Sequence, residues 1–286
     1  MSCGPLVRQA CLKAELWRTK SLETAALLTE GNYDMGTFES AGVQIYYEEY
    51  GAGAPVVLIH GFASNIETNW VVPGWIELLA QRFWTIPFDL RGHGRSSKPH
   101  DWQAYTMDAL VGDVVALLDH LKVDRTFIMG YSLGGRITLE LLVRHPERVR
   151  AAVVGGVGRE SGISSSEIRQ KIVDGLLAPS IENVTDELAR RFRRFAEANK
   201  NDLKALAACM SVARAMPPVS ELSRIKAPVL VVAGANDTWI GSPQWLRDTI
   251  PNAQLVILEG RDHMTAVGDK RFKEEVLRFF AAADAQ

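Results

Sequence analysis

Cysteine is scarce in this chain. Its 286 residues contain three, at Cys3, Cys11 and Cys209. An odd, scattered set of this kind excludes a disulfide framework and lacks the paired spacing of a zinc site. Long apolar runs are missing as well, and none approaches the roughly 18 residues that cross a bilayer. Glu15 and Glu23 interrupt the N-terminal segment, where no signal-peptide pattern is visible. Neither sign of charge is in excess: 32 basic residues stand against 34 acidic ones, a formal charge of −2. Without a basic surplus to neutralise phosphates, nucleic acid is not the expected partner. Internal repeats and low-complexity tracts are also absent. What remains is an ordinary globular composition, 47% hydrophobic and 23% charged. The expectation is a soluble, cytoplasmic protein that acts on a small molecule.

Length alone leaves one domain or two open. Residues 1–36 form a segment of their own, in which Leu6, Ala10, Ala14, Trp17 and Leu28 recur at mostly helical spacing. The GNYDMG stretch at 31–36 then breaks the pattern. This extension reads as a docking helix, a partner-binding arm or a tail encoded upstream of Met35. From residue 37 onward, strand and helix signals alternate. Val43 to Tyr50, PVVLIHG (55–61), FWTIPFDL (83–90), TFIMG (126–130), AAVVGG (151–156), PVLVVAGAND (228–237) and QLVILEG (254–260) read as strands. Several are apolar throughout, as buried parallel strands are. Periodic helices are expected at 75–81, 108–121, 133–144, 243–249 and 270–282. Such alternation implies an α/β fold with a mostly parallel sheet, helices on both faces and a site beyond the carboxyl ends of the strands.

One interval departs from the rule. Residues 156–222 carry helix-like patterns at 168–177, 185–198 and 203–213 but no buried strand. The division expected is therefore a core of 37–155 and 223–286 with a helical cap at 156–222. Within the cap, Arg190, Arg191, Arg193, Arg194 and Lys200 alternate with Glu187, Glu197 and Asp202, which reads as a solvated helix face.

The chemistry concentrates at Gly130-Tyr131-Ser132-Leu133-Gly134-Gly135, where a strand ends and a helix begins. A tight strand–turn–helix of this kind lifts its serine clear of the backbone at the positive end of a helix. The plainer reading is a glycine-rich turn whose serine caps the helix. A serine alcohol needs a base, and the base needs an acid to orient it. His263, in EGRDHM after the last strand, is the candidate base. His145 lies at a helix end before Pro146 instead. Three carboxylates compete for the third position: Asp237 in GANDTW, Glu160 after strand 151–156, and Asp262 beside the histidine. Asp237 is preferred for its place at a strand's carboxyl end, although a turn-capping aspartate would look similar. Oxyanion donors are expected from the N–H of Leu133 and from the loop at His60-Gly61-Phe62, through Phe62. Arg91 and His93 of DLRGHGRS are read as braces between loops, His60 as structural, and Arg136 as a surface or bracing residue. Trp70 and Trp75 fit a pocket wall or the core equally well.

In sequence order, HGF, DLRGHGRS, GYSLGG, GANDTW and GRDHM resemble the α/β-hydrolase fold from Phe38 to Ala282. That resemblance implies an eight-stranded sheet with only its second strand antiparallel. Serine at the nucleophile position departs from the aspartate of haloalkane dehalogenases and epoxide hydrolases. The short HGF loop departs from the HGGG of many esterases and lipases. What the resemblance fits is a group of small esterases, carbon–carbon-bond hydrolases, lactonases and perhydrolases. The function expected is a serine hydrolase cleaving a carboxylic ester or related acyl bond by Ser132, His263 and Asp237, with no metal or organic cofactor required. Tyr131, Trp239 and Met264 would flank a largely apolar substrate. Alternatives are carbon–carbon, lactone or perhydrolysis chemistry on the same triad, or a ligand receptor with residual hydrolysis.

Overall fold

A computed structural model describes residues 33–159 and 165–285. Cys3, Cys11, Glu160 and the helix expected up to Leu28 lie outside the described residues. Among the described residues, eight strands form a single sheet: β1 (Tyr33–Ser40), β2 (Val43–Tyr50), β3 (Ala54–Ile59), β4 (Phe83–Phe88), β5 (Thr126–Tyr131), β6 (Val149–Gly155), β7 (Val229–Gly234) and β8 (Ala253–Leu258). Their spatial order is β1-β2-β4-β3-β5-β6-β7-β8. β2 runs antiparallel to both β1 and β4, and the remaining neighbours are parallel.

β1 begins at Tyr33, inside the stretch that the sequence assigned to the extension. Gly36 does not break it. Pairing with β2 from Tyr33↔Tyr50 to Ser40↔Val43 carries the strand through. The missing Gly36 side chain leaves room for the Tyr47 ring, which a Cβ there would meet at 3.0–3.2 Å. Cross-strand contact thus overrides a local breaker signal.

Strand periodicity divides the core into two layers. Val57 and Ile59 of β3, Ile128 of β5 and Val229 and Val231 of β7 face one layer. Val56, Leu58, Phe127, Met129, Leu230 and Val232 face the other. Successive side chains point to opposite faces, so strands buried on both sides must be apolar at every position. Helix α1 (Trp75–Leu79) lies against the second layer, while α2 (Met107–His120) and α3 (Leu133–Arg144) cover the first. Trp70 and Trp75 are fully buried in the second layer. They belong to the core.

Among the described residues between β6 and β7 come four α-helices: α4 (Ser166–Leu177), α5 (Glu187–Ala198), α6 (Leu203–Ser211) and the short α7 (Val219–Leu222). Ile172, Leu176, Phe192, Leu206 and Met210 from these helices pack with Ala63 and Phe62 of the loop after β3. The arginine run on α5 is not a uniformly solvated face. Arg193 is 5% exposed, donates to the carbonyls of Gly175, Leu176 and Ala178 at the end of α4, and pairs with Glu197 at 2.7 Å. Those terminal carbonyls have no partner within their own helix, and a guanidinium offers enough donors for several at once. α8 (Pro243–Thr249) and α9 (Lys270–Asp284) complete the chain. Among the described residues, no helix is long and apolar enough to cross a membrane.

Candidate active site

The chain steps from β3 to one side for β4 and then crosses back to the other side for β5. Loops leaving β3 and β5 therefore diverge at the carboxyl edge, where open α/β sheets form ligand crevices. Ser132 stands there, between β5 and α3, with φ 54° and ψ −110°. That conformation is strained for a residue with a Cβ. Two glycines permit it: a Cβ on Gly130 would collide with the Gly134 carbonyl and Thr138, and one on Gly134 would collide with the Ile59 carbonyl.

Three residues far apart in sequence meet at this turn. His263 Nε2 lies 2.9 Å from Ser132 Oγ, and His263 Nδ1 lies 2.7 Å from Asp237 Oδ2. The Asp237 side chain is fully buried, and its second oxygen accepts the Trp239 N–H at 3.0 Å. With Nδ1–H directed to the carboxylate, the bare Nε2 faces the serine hydroxyl. Asp262 does not reach the imidazole. Its carboxylate accepts from the N–H groups of Met264 and Thr265 and from the Thr265 hydroxyl, contacts that hold it below the usual carboxylate range.

Two backbone donors remain beside the serine. Among the described residues, the N–H groups of Phe62 and Leu133 have no acceptor. Leu133 opens a helix, where such orphan donors are inherent. The Phe62 loop is fixed from below. His60 Nδ1–H donates to the Gly61 carbonyl at 2.8 Å, and His60 Nε2 accepts the Leu90 N–H at 3.0 Å. Asn69 Oδ1 accepts the Gly61 N–H at 3.2 Å. In the neighbouring loop, Arg91 grips Asp113 through two bonds of 2.7 and 2.6 Å and donates to the Ala104 carbonyl. His93 packs edge-on against both His60 and Phe62.

The three flanking residues differ in placement. Tyr131 lies under the histidine, its hydroxyl donating to the His263 carbonyl at 2.6 Å. Burial pushes that phenol well above its ordinary range, so it stays protonated. Trp239 stacks on the His263 ring at 5.0 Å and on Phe192 at 5.2 Å. Met264 is exposed at the rim.

A cavity of about 1010 Å³ opens over Ser132. Phe62, Phe192, Phe195, Met210 and Trp239 line part of it, and apolar surface makes up the larger share of the wall. Arg136, Arg169, Arg191, Arg194, Arg214 and Arg261 line it too. Arg136 is therefore a pocket residue and not a surface one. Helical spacing was the available signal, since positions i and i+4 share a face and Arg136 follows Ser132 by one turn. Nothing in the sequence pointed to Arg214.

Residues 54–177 match the model of the alpha/beta hydrolase fold family. The chain is 31% identical over 271 residues to the 2-hydroxymuconate semialdehyde hydrolase of Pseudomonas sp. strain CF600, covering 86% of this chain and 93% of that one. It is 27% identical over 243 residues to the pimeloyl-[acyl-carrier protein] methyl ester esterase of Nitrosomonas europaea, covering 77% and 92%. The crystal structure of the enol-lactonase from Burkholderia xenovorans LB400 superposes with a TM-score of 0.73 at 23% identity, covering 86% of this chain and all of that one.

Proposed function

The chain belongs to the alpha/beta hydrolase fold family and is a hydrolase, and we propose that it cleaves a carboxylic ester or lactone through an acyl-enzyme on Ser132. The observation that carries this reading is the unbroken relay Ser132 Oγ–His263 Nε2 at 2.9 Å and His263 Nδ1–Asp237 Oδ2 at 2.7 Å. His263 takes the serine proton as Oγ attacks the carbonyl carbon. The Phe62 and Leu133 N–H groups hold the oxyanion, and Asp237 fixes the tautomer and stabilises the imidazolium. His263 then protonates the leaving alcohol. In the second half a water, deprotonated by His263, attacks the acyl carbon and regenerates Ser132. A lactone is an internal ester and follows the same course, and relatives named as a methyl ester esterase and an enol-lactonase support that breadth.

The test is a panel of 4-nitrophenyl esters from acetate to decanoate, run on the parent and on Ser132→Ala. We expect kcat to fall by about 10⁴ or more in the variant. A fluorophosphonate should label the parent at Ser132, located by mass spectrometry. Full esterase activity in Ser132→Ala would overturn the reading.

A further inference from the structure

Among the described residues, six arginines line the cavity against one aspartate, Asp262, whose carboxylate is already engaged by Met264 and Thr265. Some of these cations have protein counter-charges: Arg261 pairs with Asp269 and Arg191 with Glu187. Arg136 and Arg214 do not. Among the described residues, neither has a carboxylate within ion-pair distance.

Arg136 sits one helical turn beyond the nucleophile, its backbone N–H donating to the Ser132 carbonyl at 3.0 Å. Its Nη2 donates to the Arg214 carbonyl at 2.8 Å, and its Nε is buried with no partner. Glu140, a turn further along, bonds Arg144 instead. Arg214 donates through Nη2 to the carbonyls of Tyr105 and Cys209 and through Nη1, at 3.4 Å, to that of Val212, and its Nε is likewise buried without a partner. Two neighbouring guanidiniums that line the cavity with Ser132 thus lack an ion-pair partner among the described residues, and each keeps one Nε–H without an acceptor. Burial draws Arg136 down to about 10 against the opposing pull of Glu140, with the like charge of Arg214 adding to the fall, and it stays cationic at neutral pH.

Resting on the hydrolase reading of this site, we propose that Arg136 and Arg214 form an anion subsite that takes a carboxylate carried by the substrate. A guanidinium edge matches a carboxylate in a planar, two-bond fork. The adjoining wall of Leu133, Met210 and Val212 suits a hydrocarbon segment between that carboxylate and the scissile carbonyl. The substrate class is therefore a monoanionic ester or lactone.

The test compares esters differing only in charge. 4-Nitrophenyl hemiglutarate against 4-nitrophenyl pentanoate puts the carboxylate on the acyl side, and 3-carboxyphenyl butyrate against phenyl butyrate puts it on the alcohol side. We expect one charged ester to be preferred in kcat/KM by about tenfold or more, the scale of a charge-assisted hydrogen bond. That preference should collapse in Arg136→Met and in Arg214→Met and return in part in Arg136→Lys. No preference on either side, or equal losses on charged and neutral esters, would show that the arginines only brace the chain and would overturn the subsite. Calorimetric titration of Ser132→Ala with glutarate reads the subsite without turnover. Saturable binding lost on adding Arg136→Met supports it, and absence of binding counts against it. If glutarate binds through Arg136 while no ester is cleaved, the hydrolase reading fails and the subsite stands. Cleavage with no charge preference and no glutarate binding gives the reverse.

Discussion

The phenol of Tyr131, next in sequence to Ser132, donates at 2.6 Å to the backbone carbonyl of His263, whose ring faces that serine. Strand β5 and the loop after β8 are thereby joined directly beneath the reacting atoms. The bond holds the loop that carries the imidazole, and Tyr131 touches His263 on its ring side as well, at 5.4 Å between centroids.

Tyr131→Phe should therefore leave the fold intact but loosen the histidine. A buried carbonyl left without its donor costs about 1–3 kcal/mol. We expect kcat on a 4-nitrophenyl ester to drop about tenfold with little change in KM, and the melting temperature to fall by several degrees. Unchanged kcat would show that the backbone alone positions His263.

Asp237 and Asp262 should separate cleanly. Asp237→Asn can still hydrogen-bond the imidazole but favours the wrong tautomer, a change worth about 10⁴ in kcat in a comparable triad. Asp262→Asn disturbs only the turn at Met264 and Thr265 and should cost less than about tenfold. Steady-state kinetics on one ester decides, and an Asp262 variant as damaged as the Asp237 one would move the acid role.

The strained turn at Ser132 predicts a gain in stability on its removal. Ser132→Ala deletes the hydroxyl but keeps the Cβ at φ 54°, whereas Ser132→Gly relieves the clash. Such strain costs on the order of 1–3 kcal/mol. Denaturant unfolding should find the glycine variant more stable than the alanine variant by about 1 kcal/mol or more, with both inactive. Equal stabilities would mean that the turn stores no strain.

Acid should weaken the fold through His60 and His93, both fully buried with ring centroids 5.2 Å apart. Burial draws His60 down to about 4, and burial together with His60 draws His93 down to about 3. Unfolded, both titrate near pH 6.5. Below that pH the unfolded chain binds protons that the folded chain does not, so stability is complete above about 6.5 and falls as pH drops toward 4. The slope is at most about 1.4 kcal/mol per pH unit for each histidine. Urea titrations at pH 7.5 and 5.5 measure it, and His93→Asn should flatten it. Equal stability at the two pH values would sink this account.

Much of this protein could be read from neighbouring residues. Apolar runs such as PVVLIHG and TFIMG mark strands buried on both faces, because alternate side chains must enter opposite layers. The GYSLGG turn marks out Ser132 through purely local steric demands. His263 and Asp237 were legible because each follows a strand, and a parallel sheet delivers all such positions to one edge. Other features left no local trace. β1 starts at Tyr33 because β2 pairs with it, against the breaker signal of Gly36. Arg193 looked solvated but enters the end of α4, and Trp75 is a core residue through packing on Phe272 of α9, with Trp70 edge-on against it.

The cavity shows the divide most clearly. Sequence by itself determined the alternating elements and the order of serine, acid and histidine, since periodicity and tight-turn sterics act over a few residues. Only the tertiary structure decided that Arg214, from the segment after α6, meets Arg136 beside Ser132. Such a meeting depends on how crossovers stack distant elements, and the pair of cations it brings together belongs to the assembled pocket and to neither segment alone.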